Sequence, residues 1–139
     1  MTTVTDVMTR NVRTMAPGDT VADAAKAMRE LDVGVIPVCE GDKLLGMVTD
    51  RDIVLRAVAQ GLGGDTPLST VMSTDIRTAL ETDDLDSVLA DMASRQIRRL
   101  PVLDGSQRLV GIISLGDIAV KGQDEEDVGQ SLADISSPA

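Results

Sequence analysis

The chain has 139 residues, 42% of them apolar and 26% charged, the size and balance of one globular domain with a real core. A formal net charge of −10 gives the wrong overall field for non-specific binding to a phosphate backbone, so nucleic acid is not an expected partner. With no histidine and no aromatic residue, the commonest general base, the commonest metal ligand and any aromatic stacking platform are all excluded.

No run approaches the roughly 18 to 20 apolar residues that span a bilayer, so no membrane role is expected. The opening Met-Thr-Thr-Val-Thr-Asp lacks the basic and apolar regions of a signal peptide. Cys39 is the single cysteine, which rules out an intrachain disulfide and suits a reducing compartment. We expect a cytoplasmic protein.

In chain order, a short helical turn is expected over Thr3 to Met8, then a short strand over Val12 to Met15. A helix opens at Thr20 with Asp23 three residues on, a variant of the capping box. Its apolar positions are Val21, Ala24, Ala25, Met28 and Leu31, at helical spacing. Two apolar strands follow, Val35 to Cys39 and Leu44 to Thr49, around the turn Glu40-Gly41-Asp42. A helix from Arg51 to about Gln60 closes the segment.

The order then repeats. Val7-Met8-Thr9 matches Val71-Met72-Ser73, and Ile36-Pro37-Val38 matches Leu100-Pro101-Val102, both at an offset of 64. After one extra residue in the second turn the offset is 65, and Gly46, Thr49, Asp52 and Ile53 fall on Gly111, Ser114, Asp117 and Ile118. The second copy has its helical turn at Pro67 to Met72, with Thr66 as the expected cap and Pro67 as the first helical residue. Its strand is Ile76 to Ala79, its long helix carries Leu85, Val88, Leu89 and Met92, and its strands are Arg99 to Leu103 and Leu109 to Ser114. A last helix runs from Gly116 to about Lys121.

The expected organisation is a first repeat over 1–60, a linker over 61–66, a second repeat over 67–121 and an acidic tail over 122–139. In the tail Val128, Leu132 and Ile135 stand at i, i+4, i+7 behind Asp124 to Asp127, the pattern of a weak amphipathic helix or of a solvated tail. The seven methionines, among them Met28 and Met92, read as flexible core filling, and Cys39 as a small buried apolar residue.

Two β-α-β-β-α copies, each with an apolar-Pro-Val strand and a Gly-apolar-apolar-Thr/Ser-x-x-Asp junction, resemble a tandem pair of CBS domains, the Bateman module. The likeness covers about residues 1–121 and extends to small stand-alone bacterial CBS-domain proteins, including actinobacterial hypoxia- or stress-linked ones. It implies an α+β fold (an α/β-type CBS pair) whose two repeats pack with pseudo-two-fold symmetry and leave two clefts. It also implies homodimers, and a sensor that binds AMP, ADP, ATP or S-adenosylmethionine with no cofactor required. Carried over residue by residue, the ribose would meet Thr49 with Asp52 and Ser114 with Asp117, and the base would meet the backbone at Val12-Arg13 and Ile76-Arg77.

The residue types suit that chemistry. A carboxylate can accept from both hydroxyls of a ribose, and charge-assisted bonds are the stronger kind. Thr49 and Ser114 each carry a hydroxyl that donates or accepts. The first amides of the following helix are expected to be unpaired and open to phosphate, and Arg51, Arg98 and Arg99 lie where they could pair with it. Each junction is also a plain helix cap, Thr49 and Ser114 at N-cap with Asp52 and Asp117 at N3; capping and binding are compatible. Arg98, Arg99, Arg13 and Arg77 have a second reading as solvated surface.

The copies are not equivalent, since Gly34 stands where the second has Arg98 and Asp50-Arg51 where it has Leu115-Gly116. The two clefts are expected to differ in affinity. The functional expectation is a regulatory module signalling in trans to an effector protein that the sequence does not name. A ligand-free dimeric interaction or stress-response protein is the alternative. An enzyme is disfavoured, because no nucleophile–base pair or metal cluster is visible.

Overall fold

The computed structural model describes residues 2–121. The acidic segment with Val128, Leu132 and Ile135 lies outside the described residues. The fold is α+β, built from α1 (Val4–Val7), α2 (Val21–Leu31), β1 (Val35–Glu40), β2 (Lys43–Thr49) and α3 (Asp50–Ile53) with a π-helical continuation over Val54–Val58, then α4 (Leu68–Val71), β3 (Ala79–Leu80), α5 (Leu85–Arg95), β4 (Arg99–Leu103), β5 (Leu109–Ser114) and α6 (Leu115–Lys121).

The two long helices start on side-chain caps. The Thr20 hydroxyl accepts from the Asp23 amide at 3.1 Å, and the Asp84 carboxylate accepts from the Ser87 amide at 3.3 Å. Each ends on a residue in the left-handed region, Asp32 at φ 55 and Gln96 at φ 55, where glycine is the usual choice. The buried stripe of α2 is Val21, Ala24, Ala27 and Met28. Ala25 and Leu31, expected on that stripe, are exposed, and Ala27 takes the inner place. Alanines do not mark a face by themselves; the bulkier Val21 and Met28 set the rotation.

The strands pair as two hairpins. β1 runs antiparallel to β2 with Val35 opposite Thr49 and Val38 opposite Gly46. β4 runs antiparallel to β5 with Arg99 opposite Ser114 and Val102 opposite Gly111. The register shifts in each, between Val38 and Cys39 and between Val102 and Leu103.

The strand expected over Ile76 to Ala79 is only Ala79–Leu80, parallel to β4, which makes a three-stranded sheet. The one expected over Val12 to Met15 reduces to a single bridge from Met15 to Val38, so the first sheet has two strands. The cause is one residue. The Glu81 amide donates to the Leu103 carbonyl at 2.9 Å and extends the ladder. Pro17 stands at the matching place and has no N–H to give.

The chain divides into two compact units, and they are not the two sequence repeats. Among the described residues one holds 13–76 and the other 2–12 with 77–121. Each repeat lends its first segment to the unit of the other. Thr9, from the first repeat, bridges Ile112 on β5, and Ser73, from the second, bridges Met47 on β2. The Val4 amide bonds Asp83 O at 3.0 Å, and the Leu68 amide bonds Asp19 O at 2.8 Å. Val4 and Leu68 are fully buried, so each arm is anchored by an apolar plug as well as by its backbone. The close approach needs glycine: a Cβ at Gly46 would lie 2.5 Å from Ser73 O, and one at Gly111 2.6 Å from Thr9 O.

Each unit has its own apolar core. Ile36, Val38, Val48 and Leu68 centre one, and Leu100, Val102, Ile113 and Ile118 the other. Met28 and Met92 are both buried, as expected. Pro67, expected as the first residue of α4, is instead its N-cap, with φ −70 and ψ 149. The extended ψ starts the helix one residue later, and the Thr66 hydroxyl bonds Gly63 O at 2.7 Å instead of capping.

Candidate functional site

Each unit brings a strand end and a helix start together in the same way. At the first junction the Thr49 hydroxyl accepts from the Asp52 amide at 2.9 Å, while the Thr49 amide donates to Asp52 Oδ2 at 3.0 Å. At the second the Ser114 hydroxyl accepts from the Asp117 amide at 3.1 Å, and the Ser114 amide donates to Asp117 Oδ2 at 3.3 Å. These are capping boxes, and the residues expected at the two junctions are brought together in both. All four are half-buried. In this arrangement each hydroxyl keeps its own O–H free as a donor, and each carboxylate keeps lone pairs free.

At the first junction the first three amides are not open, contrary to the expectation from sequence, and at the second those of Leu115 and Asp117 are taken. At the first junction Asp50 N donates to Gly34 O at 3.0 Å, Arg51 N to Asp50 Oδ1 at 2.8 Å and Asp52 N to Thr49. At the second Leu115 N donates to Arg98 O at 3.0 Å. The segment before each hairpin and the caps have already used these donors. A phosphate at the first junction would therefore depend on side chains.

The carboxylates have different neighbours. Asp52 Oδ1 stands 3.8 Å from Arg56 Nε, and Arg56 also reaches the carbonyls of Val71 and Met72 at 3.4 and 3.3 Å. Asp117 instead receives the Thr9 hydroxyl, 3.1 Å from each of its oxygens. Sequence reasoning singled out neither residue. Arg56 was within reach of it, as the i+4 partner of Asp52 on a helix. Thr9 was not, because it comes from the other repeat and meets Asp117 only through the arm exchange.

The remaining predicted residues are surface or partly buried. Val12 and Ile76 are half-buried; Arg13, Arg51, Arg98 and Arg99 are exposed. Arg77 lies 3.4 Å from Asp91, which Arg95 also holds at 2.9 Å. The Arg95 hydrogen bond, helped by Arg77, keeps the Asp91 carboxyl below its usual range. Cys39 is buried, and burial, with the Asp42 charge behind it, pushes its thiol up and away from reactivity. Among the described residues no group of three or more His, Cys, Asp or Glu could hold a metal ion, and no helix is long and apolar enough to cross a membrane.

Two α+β repeats, each with a Thr/Ser-x-x-Asp junction between its last strand and its last helix, make up a paired-repeat regulatory module. The chain belongs to the CBS-domain family, whose pattern matches residues 4–58 and 68–122. It is 46% identical over 136 residues to the CBS domain-containing protein YhcV of Bacillus subtilis, covering 98% of this chain and 96% of YhcV. It is 36% identical over 140 residues to Hypoxic response protein 1 of Mycobacterium tuberculosis, covering 99% and 96%. Among solved structures it resembles the CBS domain pair of protein MJ0100 in complex with 5′-methylthioadenosine and S-adenosyl-L-methionine, at a TM-score of 0.72 and 26% identity over 96% of this chain and 97% of that one.

Proposed function

We propose that this chain is a non-enzymatic sensor that binds an adenosine-containing ligand, AMP, ADP, ATP or S-adenosylmethionine, and passes the signal in trans to an effector protein in the cytoplasm. The observation that carries the reading is the duplicated junction. Thr49 with Asp52, and Ser114 with Asp117, each offer one hydroxyl donor beside one carboxylate acceptor. A ribose diol can use that pairing. The S-adenosylmethionine held by the MJ0100 pair supports the ligand class. Val12, Arg13, Ile76 and Arg77 are proposed to border the base, and Arg51, Arg98 and Arg99 any phosphate.

The test is thermal stability against AMP, ADP, ATP and S-adenosylmethionine, with Asp52→Ala and Asp117→Ala beside the wild type. A one-site ligand at a hundredfold its dissociation constant stabilises the native state by about 2.7 kcal/mol. No shift with any ligand sinks the reading, and a shift that survives both substitutions moves the site elsewhere.

A second reading, a ligand-free homodimeric docking or stress-response protein, is favoured by one surface. Val54, Leu55 and Val58 on the π-helical segment, with Leu62 beyond it, are exposed, Val58 at 66%. The likeness to Hypoxic response protein 1 supports a stress setting. Sedimentation of wild type and Val58→Asp measures the dimer directly: a monomeric wild type ends this reading.

A further inference from the structure

The two junctions differ most in the charge of the residues around them. Position 34 is Gly and its counterpart is Arg98; position 35 is Val and its counterpart is Arg99. Asp50-Arg51, a neutral pair, corresponds in sequence to Leu115-Gly116, which is uncharged. Across these positions the second junction carries two guanidinium groups with no carboxylate beside them, whereas at the first the single guanidinium of Arg51 is offset by the Asp50 carboxylate. Arg13 and Arg77 match in sequence, Arg77 being paired with Asp91, and Arg56, which stands against Asp52 and two carbonyls, falls on Lys121 in the second copy.

The places correspond in space as well as in sequence. Asp50 N bonds Gly34 O and Leu115 N bonds Arg98 O, both at 3.0 Å. A Cβ on Gly34 would stand 3.1 Å from Asp50 Oδ2. Beside the position where the second unit projects a guanidinium, the first therefore holds a carboxylate. Val35 is opposite Thr49 and Arg99 is opposite Ser114 in the antiparallel registers. Opposed residues project to the same face, about 5 Å apart at Cβ, so Arg99 flanks the Ser114 hydroxyl as Val35 flanks that of Thr49. The guanidinium groups of Arg98 and Arg99 have no ion pair among the described residues.

We propose that the two junctions sort adenosine ligands by charge. The Ser114–Asp117 junction takes the phosphate-bearing ligand, with Arg98 and Arg99 as its specificity-determining residues. The Thr49–Asp52 junction takes an adenosine that is uncharged or cationic at its 5′ end, a thioether or a sulfonium. Asp50 repels phosphate there and complements a sulfonium. This rests on the binding reading above and goes beyond it by assigning a ligand class to each site.

The experiment is calorimetric titration of the full chain with AMP, with S-adenosylmethionine and with adenosine, at low and high salt. Asp117→Ala should abolish AMP binding and spare S-adenosylmethionine, and Asp52→Ala should do the reverse. Both aspartates also cap their helices, so two variants that leave the caps intact accompany them. Arg99→Val should weaken AMP about tenfold, the loss of one charge-assisted hydrogen bond, and leave adenosine unchanged. Val35→Arg with Asp50→Leu should create a second AMP site, and AMP affinity alone should fall with salt. If ligands bind but one aspartate substitution removes both, or Arg99→Val leaves AMP untouched, the sorting is overturned and the binding reading stands. If none of the three ligands binds, both fall.

Discussion

The unit of residues 13–76 and the unit of 1–12 with 77–121 run one plan with different local chemistry. Both seat a borrowed arm beside a glycine, and both fasten a strand end to a helix with reciprocal cap bonds. They part at single residues. Pro17 against Glu81 separates two strands from three. Arg56 against Thr9 gives one carboxylate a cation and the other a neutral hydroxyl. The frame rests on apolar burial and backbone bonds, which tolerate such exchanges; the ligand-facing chemistry rests on individual side chains, which do not.

The comparison breaks most visibly in the cores. Ile36 and Leu100 are equivalent and nearly fully buried, at 1% and 2%. Ile36→Ala and Leu100→Ala should each cost about 2–5 kcal/mol in denaturant unfolding. Values differing by more than that spread would show that one unit carries the stability. Next come the glycines. A methyl at Gly46 or Gly111 drives into a backbone oxygen that cannot swing away. Gly46→Ala and Gly111→Ala should each lose about 1–3 kcal/mol, and by similar amounts.

Pro17→Glu tests the strand difference. It restores an N–H worth about 0.5–1.5 kcal/mol and gives up proline rigidity worth about 0.4–1, so net stability should hardly move. The readout is hydrogen exchange: the amide of residue 17 should be protected as that of Glu81 is. A fast amide there would show that something besides the missing donor ends the strand. The smallest effect is alkaline. Cys39 has a raised thiol pKa, and its counterpart Leu103 does not titrate. The neutral thiol is the folded form's preference, so stability is complete below the unfolded value of about 8.5 and declines as pH rises past it. Cys39→Val should flatten that decline, seen as melting temperature against pH.

Much of this was legible in the chain. The hairpins showed as apolar runs around Gly41 and Gly105, and the junctions as Thr49-x-x-Asp52 and Ser114-x-x-Asp117, because both signals are local. The arm exchange was not, since it joins Thr9 to Ile112 and Asp117 across more than a hundred residues. The lost first strand was legible in principle, as Pro17 opposite Glu81, but a β-rich stretch such as Val12 to Met15 hides it. The occupied amides of Asp50 and Leu115 were missed because their acceptors, Gly34 O and Arg98 O, lie on a preceding segment with no sequence mark.

The lent arms carry a consequence for ancestry and for engineering. A lone repeat excised from this chain would have an empty berth beside its glycine and a homeless apolar plug, Val4 or Leu68. It can satisfy both only by reciprocal exchange with a second copy, a closed swap that leaves nothing unmatched. Duplication and fusion would then have turned an obligate partnership into one polypeptide. Two separately expressed halves should accordingly complement one another on mixing, each folding when the other supplies its missing piece.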